Sequence, residues 1–399
     1  MKKTVCLVSL PSPFLVDEKV FPPLGLLYLK KALSYHDIES HVHDGTISEI
    51  PSGFSHYAIS ATTPQFVLAK EALAHIREIA PKAQIVIGGP HATVDPDSCK
   101  KAGFDSVVMG EGETALFLAV DWFADIVSVP FHGYLSPDRS ALDIRSYRYY
   151  IDNRLATSVM TSRGCPYSCA FCCKSAGKCR LFPSELVINE LTELHEVYGY
   201  DAFMFFDDIF ISDRARLAEI LATITPWKVK WRGFVRADLL VKGGVEMVRA
   251  MKDSGCVEIG MGIESGSEYI LKTINKGESL QVIRDAIELA HNAGIRVKGF
   301  FIVGLPSESW ETVKETEKFC QKTKLDDMDF TIFQPFKGSH IYNNCSQYDI
   351  NWHEEGLKDL WYKGKQGGYY SNVWTSHLWK DEIVEARDYL ERNCKHDQR

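Results

Sequence analysis

Residues 163–174, RGCPYSCAFCCK, carry four of the chain's eleven cysteines. Cys165, Cys169 and Cys172 stand in the order CxxxCxxC, directly after an apolar run that reads as a strand. Three thiolates on one short loop can hold three corners of an iron–sulfur cube. The fourth iron then has no protein ligand and is open to a small molecule. Two structural alternatives use the same residues: a tetrahedral zinc site completed by Cys173 or Cys179, or simple core cysteines. Zinc sites usually draw ligands from two knuckles, and the sequence holds no second CxxC and no HxxxH. Cys173 falls outside the spacing and reads as a small buried thiol.

A loop of this kind must be presented by regular elements, and the 399 residues supply them. That length predicts two domains and a small appendage. Over residues 1–128 strand-like and helix-like patterns alternate, as in a parallel sheet. TVCLVSL, HYAISA, QIVIGG and SVVMGEGE read as strands; LGLLYLKKAL, VLAKEALAHIREIA and TALFLAVDWFA read as helices. Residues 129–155 break the pattern and read as a connector. Alternation then resumes at roughly thirty-residue spacing, with strands expected at 156–161, 202–207, 230–235, 256–263, 295–303 and 328–334. Six such units predict a complete or partial barrel over 156–340, with chemistry at the carboxyl ends of its strands. Residues 341–399 are rich in Trp and Tyr and finish in the helix-like KDEIVEARDYLERN. Most of their aromatics are expected to form a third layer of core; the sharper alternative is that GGYYSNVWTSHLW (367–379) covers the barrel mouth.

Bulk properties narrow the function classes. With 45 basic and 53 acidic residues the formal net charge is −8, which offers nucleic acid or an anionic membrane no overall basic field. The apolar run at the N-terminus stops at Pro11, too short for a signal peptide, and no stretch is long enough to span a bilayer. The expected setting is cytoplasmic, where thiols stay reduced.

The cysteine loop resembles that of the radical S-adenosylmethionine (SAM) superfamily, whose signature is CxxxCxxC with an aromatic residue before the last cysteine, here Phe171. The resemblance implies a [4Fe–4S] cluster on Cys165, Cys169 and Cys172, whose open iron chelates SAM, with Phe171 near the adenine. It implies an external electron donor of the flavodoxin or ferredoxin kind. It also implies SAM contacts at successive strand ends. Asp207 and Asp208 in FMFFDDIF would face the amino group, where a carboxylate can accept from an ammonium, although either could simply cap a turn. Arg236 in WRGFVRADLL would pair with the carboxylate, which its planar fork suits. Glu264 in GMGIESGS would accept from ribose hydroxyls. Gly304 in VKGFFIVGLPSES, with Gly299 and Pro306, would let backbone approach the adenine.

The N-terminal region is similar in type and order to the cobalamin-binding subclass of that superfamily, through FPPLGLLYLKKAL, AISATTPQF, IGGPHAT and VVMGEGETAL. The likeness implies cobalamin contacts at Gly25, Thr62, Gly88, Gly89, His91, Gly110, Glu111 and Gly112, where glycine-bearing strand ends admit a flat corrin. The DxHxxG motif that supplies a cobalt ligand elsewhere is missing: HDGTISE has Asp44 but no histidine two residues later. An open lower face suits methyl transfer and equally a domain that has lost cobalamin. The methylthiotransferases, which carry a second cluster on three N-terminal cysteines, fit less well, since only Cys6 and Cys99 lie in that region. The expected architecture is a doubly wound, Rossmann-like cobalamin-binding domain, a partial (β/α)6 radical SAM barrel and a short helical cap, with cobalt and SAM meeting across one cavity. The expected function is radical methylation of an unactivated carbon or phosphorus in a small molecule. Cobalamin-linked oxidation, cyclisation or rearrangement, or a metal-stabilised binding module, are the alternatives.

Overall fold

The computed structural model describes residues 3–13, 15, 17–122, 125–173, 179–353 and 368–395. They fall into two compact units, one carried chiefly by residues up to Tyr149 and the other by residues from Tyr150 on.

In the first unit the strands are β1 (Thr4–Ser9), β2 (Glu39–His43), β3 (His56–Ser60), β4 (Gln84–Gly88), β5 (Ser106–Val108) and β6 (Ile126–Val127). The helices are α1 (Leu24–Ser34), α2 (Phe66–Ile79), α3 (Pro90–Val94), α4 (Pro96–Ala102) and α5 (Gly112–Trp122). All strand pairs are parallel, in the order β2-β1-β3-β4-β5-β6. Parallel strands are buried on both faces, so their sequences run continuously apolar. Alternate residues go to opposite layers: Cys6, Val8, Tyr57 and Ile59 pack with α2 residues Ala69, Leu73 and Ile76. Val5, Leu7 and Ala58 pack with Leu27 of α1 and Leu116 and Val120 of α5. The strand order reverses between β1 and β3, and ligands of such sheets bind beyond the carboxyl ends at that point. The helices α3 and α4 depart from the sequence reading. Each has proline in its first turn, where the missing N–H costs no hydrogen bond.

The second unit is built on a seven-stranded sheet of β7 (Tyr149–Ile151), β8 (Arg154–Val159), β11 (Ala202–Phe205), β12 (Lys230–Val235), β13 (Cys256–Glu264), β14 (Arg296–Val303) and β15 (Asp327–Ile332). Between β8 and β11 a short antiparallel pair, β9 (Ser162–Arg163) and β10 (Arg180–Leu181), forms a stem beneath the cysteines. The sheet order is β15-β14-β13-β12-β11-β8-β7, with all pairings from β8 to β15 parallel. The six strands read from the sequence are thus the six parallel ones, as a half-barrel. The connector's end differs from expectation: Asp152 and Asn153 both take positive φ, and the tight turn they make returns β7 as an edge strand.

Helices α6 (Ser184–Glu196), α7 (Arg214–Ile224), α8 (Ala237–Asp253), α9 (Glu268–Thr273), α10 (Leu280–Asn292) and α11 (Trp310–Thr323) connect the strands. After β15 come α12 (His340–Asn343), the antiparallel pair β16 (Asn351–Trp352) and β17 (Val373–Trp374), and α13 (Lys380–Cys394). An unpaired edge strand invites aberrant pairing, and α13 covers β15. Arg387 of α13, itself buried, donates from Nε to the Phe330 carbonyl on that strand at 3.0 Å. The tail's buried apolar residues include Ile350, Val373, Leu378, Ile383 and Leu390. Its aromatics are not the core layer expected of them: Trp352, Tyr369 and Trp374 are half-buried, and Tyr370 and Trp379 are exposed. Trp361 and Tyr362 lie outside the described residues. No helix among the described residues is long and apolar enough to cross a membrane.

Candidate functional site

The cysteine loop is held at both ends. At its root, the β11 carboxylate Asp207 is buried and accepts from Thr161 N at 3.0 Å, from Thr161 Oγ1 at 2.9 Å and from Ser162 Oγ. Arg216 donates to the Thr161 carbonyl at 2.5 Å and to the Phe182 carbonyl at 2.7 Å, tying both strands of the stem to α7. Burial pushes the Asp207 carboxyl up to about 6, against the pull of the Ser162 and Thr161 bonds and Arg216. The sequence reading expected Asp207 to face an ammonium; here it is buried and braces the root of the loop instead. Its Oδ1 takes all the short bonds from the loop's own root, and its Oδ2 lies 3.2 Å from the Thr161 amide. Asp208 is exposed and accepts the Gly164 amide just before Cys165.

At the far end, residues 274–276 clamp the loop. Ala170 N donates to Ile274 O at 2.8 Å, and Asn275 Nδ2 to Ser168 O at 2.9 Å. The Cys169 sulfur lies 4.0 Å from Lys276 O. Ile341 N reaches Ala170 O at 3.0 Å, so α12 adds a third tether. The sequence reading missed residues 274–276 because nothing local marks a loop that bonds to another more than a hundred residues away.

Beside Cys169 stands a set of charged side chains from the ends of β12 and β13, the start of α8 and the turn between α9 and α10. Arg236, buried just after β12, donates from Nε and Nη2 to Asp238 at 3.1 and 3.3 Å, and from Nη2 to Lys276 O at 3.2 Å. Its Nη1 is 3.9 Å from Cys169 Sγ, and its guanidinium lies 3.6 Å from the centroid of the Tyr167 ring. Glu278 approaches the same guanidinium at 3.4 Å and Lys276 Nζ at 3.5 Å. Lys276 Nζ bonds to Glu264 at 3.0 Å. Burial works against charge on Lys276, but Glu264 and Glu278 outweigh it and raise its amine above the usual range. Arg236 thus departs from the expected role. Its fork is taken up by Asp238 on its own chain, and Lys276 is the cation that sits with Glu264. Lys276 was missed because Glu264 and Lys276 are twelve residues apart and meet only when α9 turns the chain back.

Glu264 closes β13 with a φ of 68°, at a register shift between β13 and β14. Such a backbone costs about 1–3 kcal/mol for a residue with a Cβ and tends to be kept where a side chain must be aimed. Gly304, at the end of β14, has a φ of 88°, and a Cβ there would stand 2.9 Å from Ile383 Cγ2. The close approach that calls for glycine at 304 is thus to α13, not to a ligand. Its amide donates to the buried Glu308, which also accepts from Leu305.

The thiols suit a cationic group. Burial raises the Cys169 thiol, with Glu264 and Cys165 pushing the same way while Lys276 and Arg236 pull it down. Desolvation of the sulfur raises Cys172 to about 11, and Cys169 and Cys165 add to it, although the residue has an open side. Thiolates that oppose one another are stabilised by bound iron, which deprotonates them. Phe171 is half-buried between Cys169 and Cys172. Among the described residues no three His, Cys, Asp or Glu side chains converge on a single-ion site.

In the first unit the expected residues gather at the carboxyl ends of the sheet but differ in availability. Gly25, in the first turn of α1, and Gly110, after β5, have open space where a Cβ would be. Thr62 is exposed, with its hydroxyl on Gln65 Oε1 at 2.9 Å. Gln65, unforeseen, also donates to Leu10 O at 3.0 Å and so joins the ends of β1 and β3 at the switch point. Gly88 is in ordinary contact with Val108, and Gly112 begins α5 against Leu29. Gly89 has a φ of 91° and abuts Ser60 and Ala61, so its own chain requires it. Thr93 accepts from Gly110 N at 2.9 Å and donates to Gly89 O at 2.9 Å. Glu111 is half-buried beside them. His91 does not stand open to a ligand. It is buried against Phe66, with Nδ1 3.3 Å from Thr63 Oγ1 and Nε2 3.0 Å from Ser98 Oγ.

Comparison with known proteins matches two family models, "Radical SAM superfamily" over residues 159–320 and "B12 binding domain" over residues 15–119. An uncharacterized methyltransferase of Pyrococcus horikoshii is 31% identical over 373 residues, covering 83% of this chain and 81% of the relative. The anaerobic magnesium-protoporphyrin IX monomethyl ester cyclase of Cereibacter sphaeroides is 28% identical, over 71% of this chain and 52% of its own length. In fold, the radical SAM methyltransferase TsrM from Kitasatospora setae, solved with cobalamin and a [4Fe–4S] cluster, superposes with a TM-score of 0.72 at 15% identity, covering 99% of this chain and 88% of that one. The half-barrel with its clamped three-cysteine loop, the parallel sheet before it and these matches agree: the chain belongs to the radical SAM superfamily, in the branch that carries a B12-binding domain.

Proposed function

We propose that the chain is a cobalamin-dependent radical SAM enzyme that methylates an unactivated carbon or phosphorus centre of a small molecule. When bound, the cluster supplies the electron that opens SAM, and cobalamin carries the methyl group. The observation that carries this reading is the double clamp on the cysteine loop, from Asp207 and Arg216 below and residues 274–276 above. It would hold Cys165, Cys169 and Cys172 as three cluster ligands. Lys276 offers the SAM carboxylate a cation, Glu264 and Asp208 offer acceptors to its hydroxyls and amine, and Phe171 offers the adenine a face. Gly25, Thr62, Gly110, Glu111 and Gly112 would line the cobalamin, Gly25 and Gly110 leaving room for the macrocycle. An external one-electron donor of the flavodoxin or ferredoxin type completes the requirements.

Anaerobic reconstitution with iron, sulfide and hydroxocobalamin tests the reading. The expected result is about four iron per chain, cobalamin retained through gel filtration, and both 5′-deoxyadenosine and S-adenosylhomocysteine formed from SAM. Full iron content in a Cys165→Ala, Cys169→Ala, Cys172→Ala triple variant would end it. A second reading keeps both cofactors but performs an oxidation or cyclisation, favoured by the likeness to the anaerobic cyclase. Deoxyadenosine without S-adenosylhomocysteine would select it.

A further inference from the structure

Arg236 is buried, yet its guanidinium makes no ordinary surface pair. One nitrogen points at the Cys169 sulfur from 3.9 Å, the ring of Tyr167 from the same cysteine loop covers it at 3.6 Å, and Asp238 grips the other side at 3.1 and 3.3 Å. Tyr167 keeps water from the guanidinium face, and a desolvated cation acts more strongly on its surroundings than a hydrated one. Cluster potentials are set by net charge, by hydrogen bonds to the ligating sulfurs and by solvent exposure. All three converge on Cys169. We infer that Arg236, pressed between Tyr167 and the Cys169 sulfur and opposed by Asp238, sets the reduction potential of the iron–sulfur cluster. This rests on the cluster assignment proposed above.

The direction follows from charge. Reduction adds an electron to the cluster, so a cation beside a ligating sulfur favours the reduced state and an anion disfavours it. Arg236 therefore raises the midpoint potential, and Asp238 offsets part of that effect. Two substitutions in contact with one another should then move the same observable in opposite directions, which loss of packing would not do.

The test is a dye-mediated, EPR-monitored titration of the reconstituted full chain without SAM, so that SAM binding does not enter. At the wild-type midpoint, Arg236→Gln should lower the reduced-to-oxidised ratio on the order of tenfold, which is ~59 mV for one electron. Asp238→Asn should raise that ratio, and Arg236→Lys, which keeps the charge, should recover most of the Gln loss. If Arg236→Gln fails to take up the cluster, Asp238→Asn still decides the sign. Unchanged midpoints, or shifts of both variants in the same direction, would overturn the inference and leave the cluster assignment standing. A wild-type chain that takes up no cluster would overturn both.

Discussion

Replacing Asp207 separates a brace from a ligand. Its carboxylate accepts from the Thr161 amide and hydroxyl at 3.0 and 2.9 Å and from the Ser162 hydroxyl, in a site with 1% exposure. Hydrogen bonds to a charged group are worth about 1.5–3 kcal/mol each, but they are not additive and the two hydroxyls can turn to other partners. The Thr161 amide cannot turn, and Arg216 nearby loses its counter-charge. Removing one member of a buried charged arrangement costs about 3–5 kcal/mol, which is the estimate for Asp207→Ala. Asp207→Asn keeps one acceptor and the shape, so its cost should fall to about 1–2 kcal/mol. Both should be measured by urea unfolding of the metal-free chain at pH 7.5, above the Asp207 pKa of about 6. Reconstituted samples should lose iron to a chelator faster, in the same order, because the root of the cysteine loop is freed. If both variants unfold within about 0.5 kcal/mol of wild type while SAM affinity falls, Asp207 is a ligand and the brace is refuted.

Lys276→Met leaves Glu264 buried without its cation and Glu278 with Arg236 alone, and should destabilise the metal-free chain by about 3–5 kcal/mol at neutral pH. Adding Glu264→Gln should recover part of that loss; strict additivity in the double-mutant cycle would show that the pair is not coupled. Gly304→Ala must hold a positive φ and press on Ile383, at a cost of about 1–3 kcal/mol, and Ile383→Ala in the same chain should make that substitution less costly. Burial pushes the Glu308 carboxyl up to about 7, against about 4.3 in an unfolded chain. The folded chain then holds this proton more tightly, so the group's contribution is present below pH ~4.3 and is lost as pH rises through 7. Relative to Glu308→Gln, wild type should therefore lose up to about 3 kcal/mol of unfolding free energy between pH 5 and 8; a constant difference would show that Glu308 does not titrate there.

The sequence by itself determined where the parallel strands run and which loop carries the thiols. Both are written locally: apolar runs such as TVCLVS and AFMF are those of strands buried on two faces, and CxxxCxxC needs no distant partner to be seen. The resemblance to the radical SAM superfamily also pointed to the carboxyl ends of β11, β12 and β13. Tertiary structure alone decided what each of those side chains touches. Asp207 and Asp208 are neighbours in sequence just after β11, yet one is buried at the root of the loop and the other is exposed. Arg236 meets Asp238 rather than open space, Lys276 reaches Glu264 only through the turn of α9, and Ile383 occupies the room beside Gly304 from a helix some eighty residues on. The same holds for His91, whose partners are Thr63, after β3, and Ser98 of α4. Periodicity reports how much of an element is buried, whereas the choice of partner depends on strand register and on where distant helices pack.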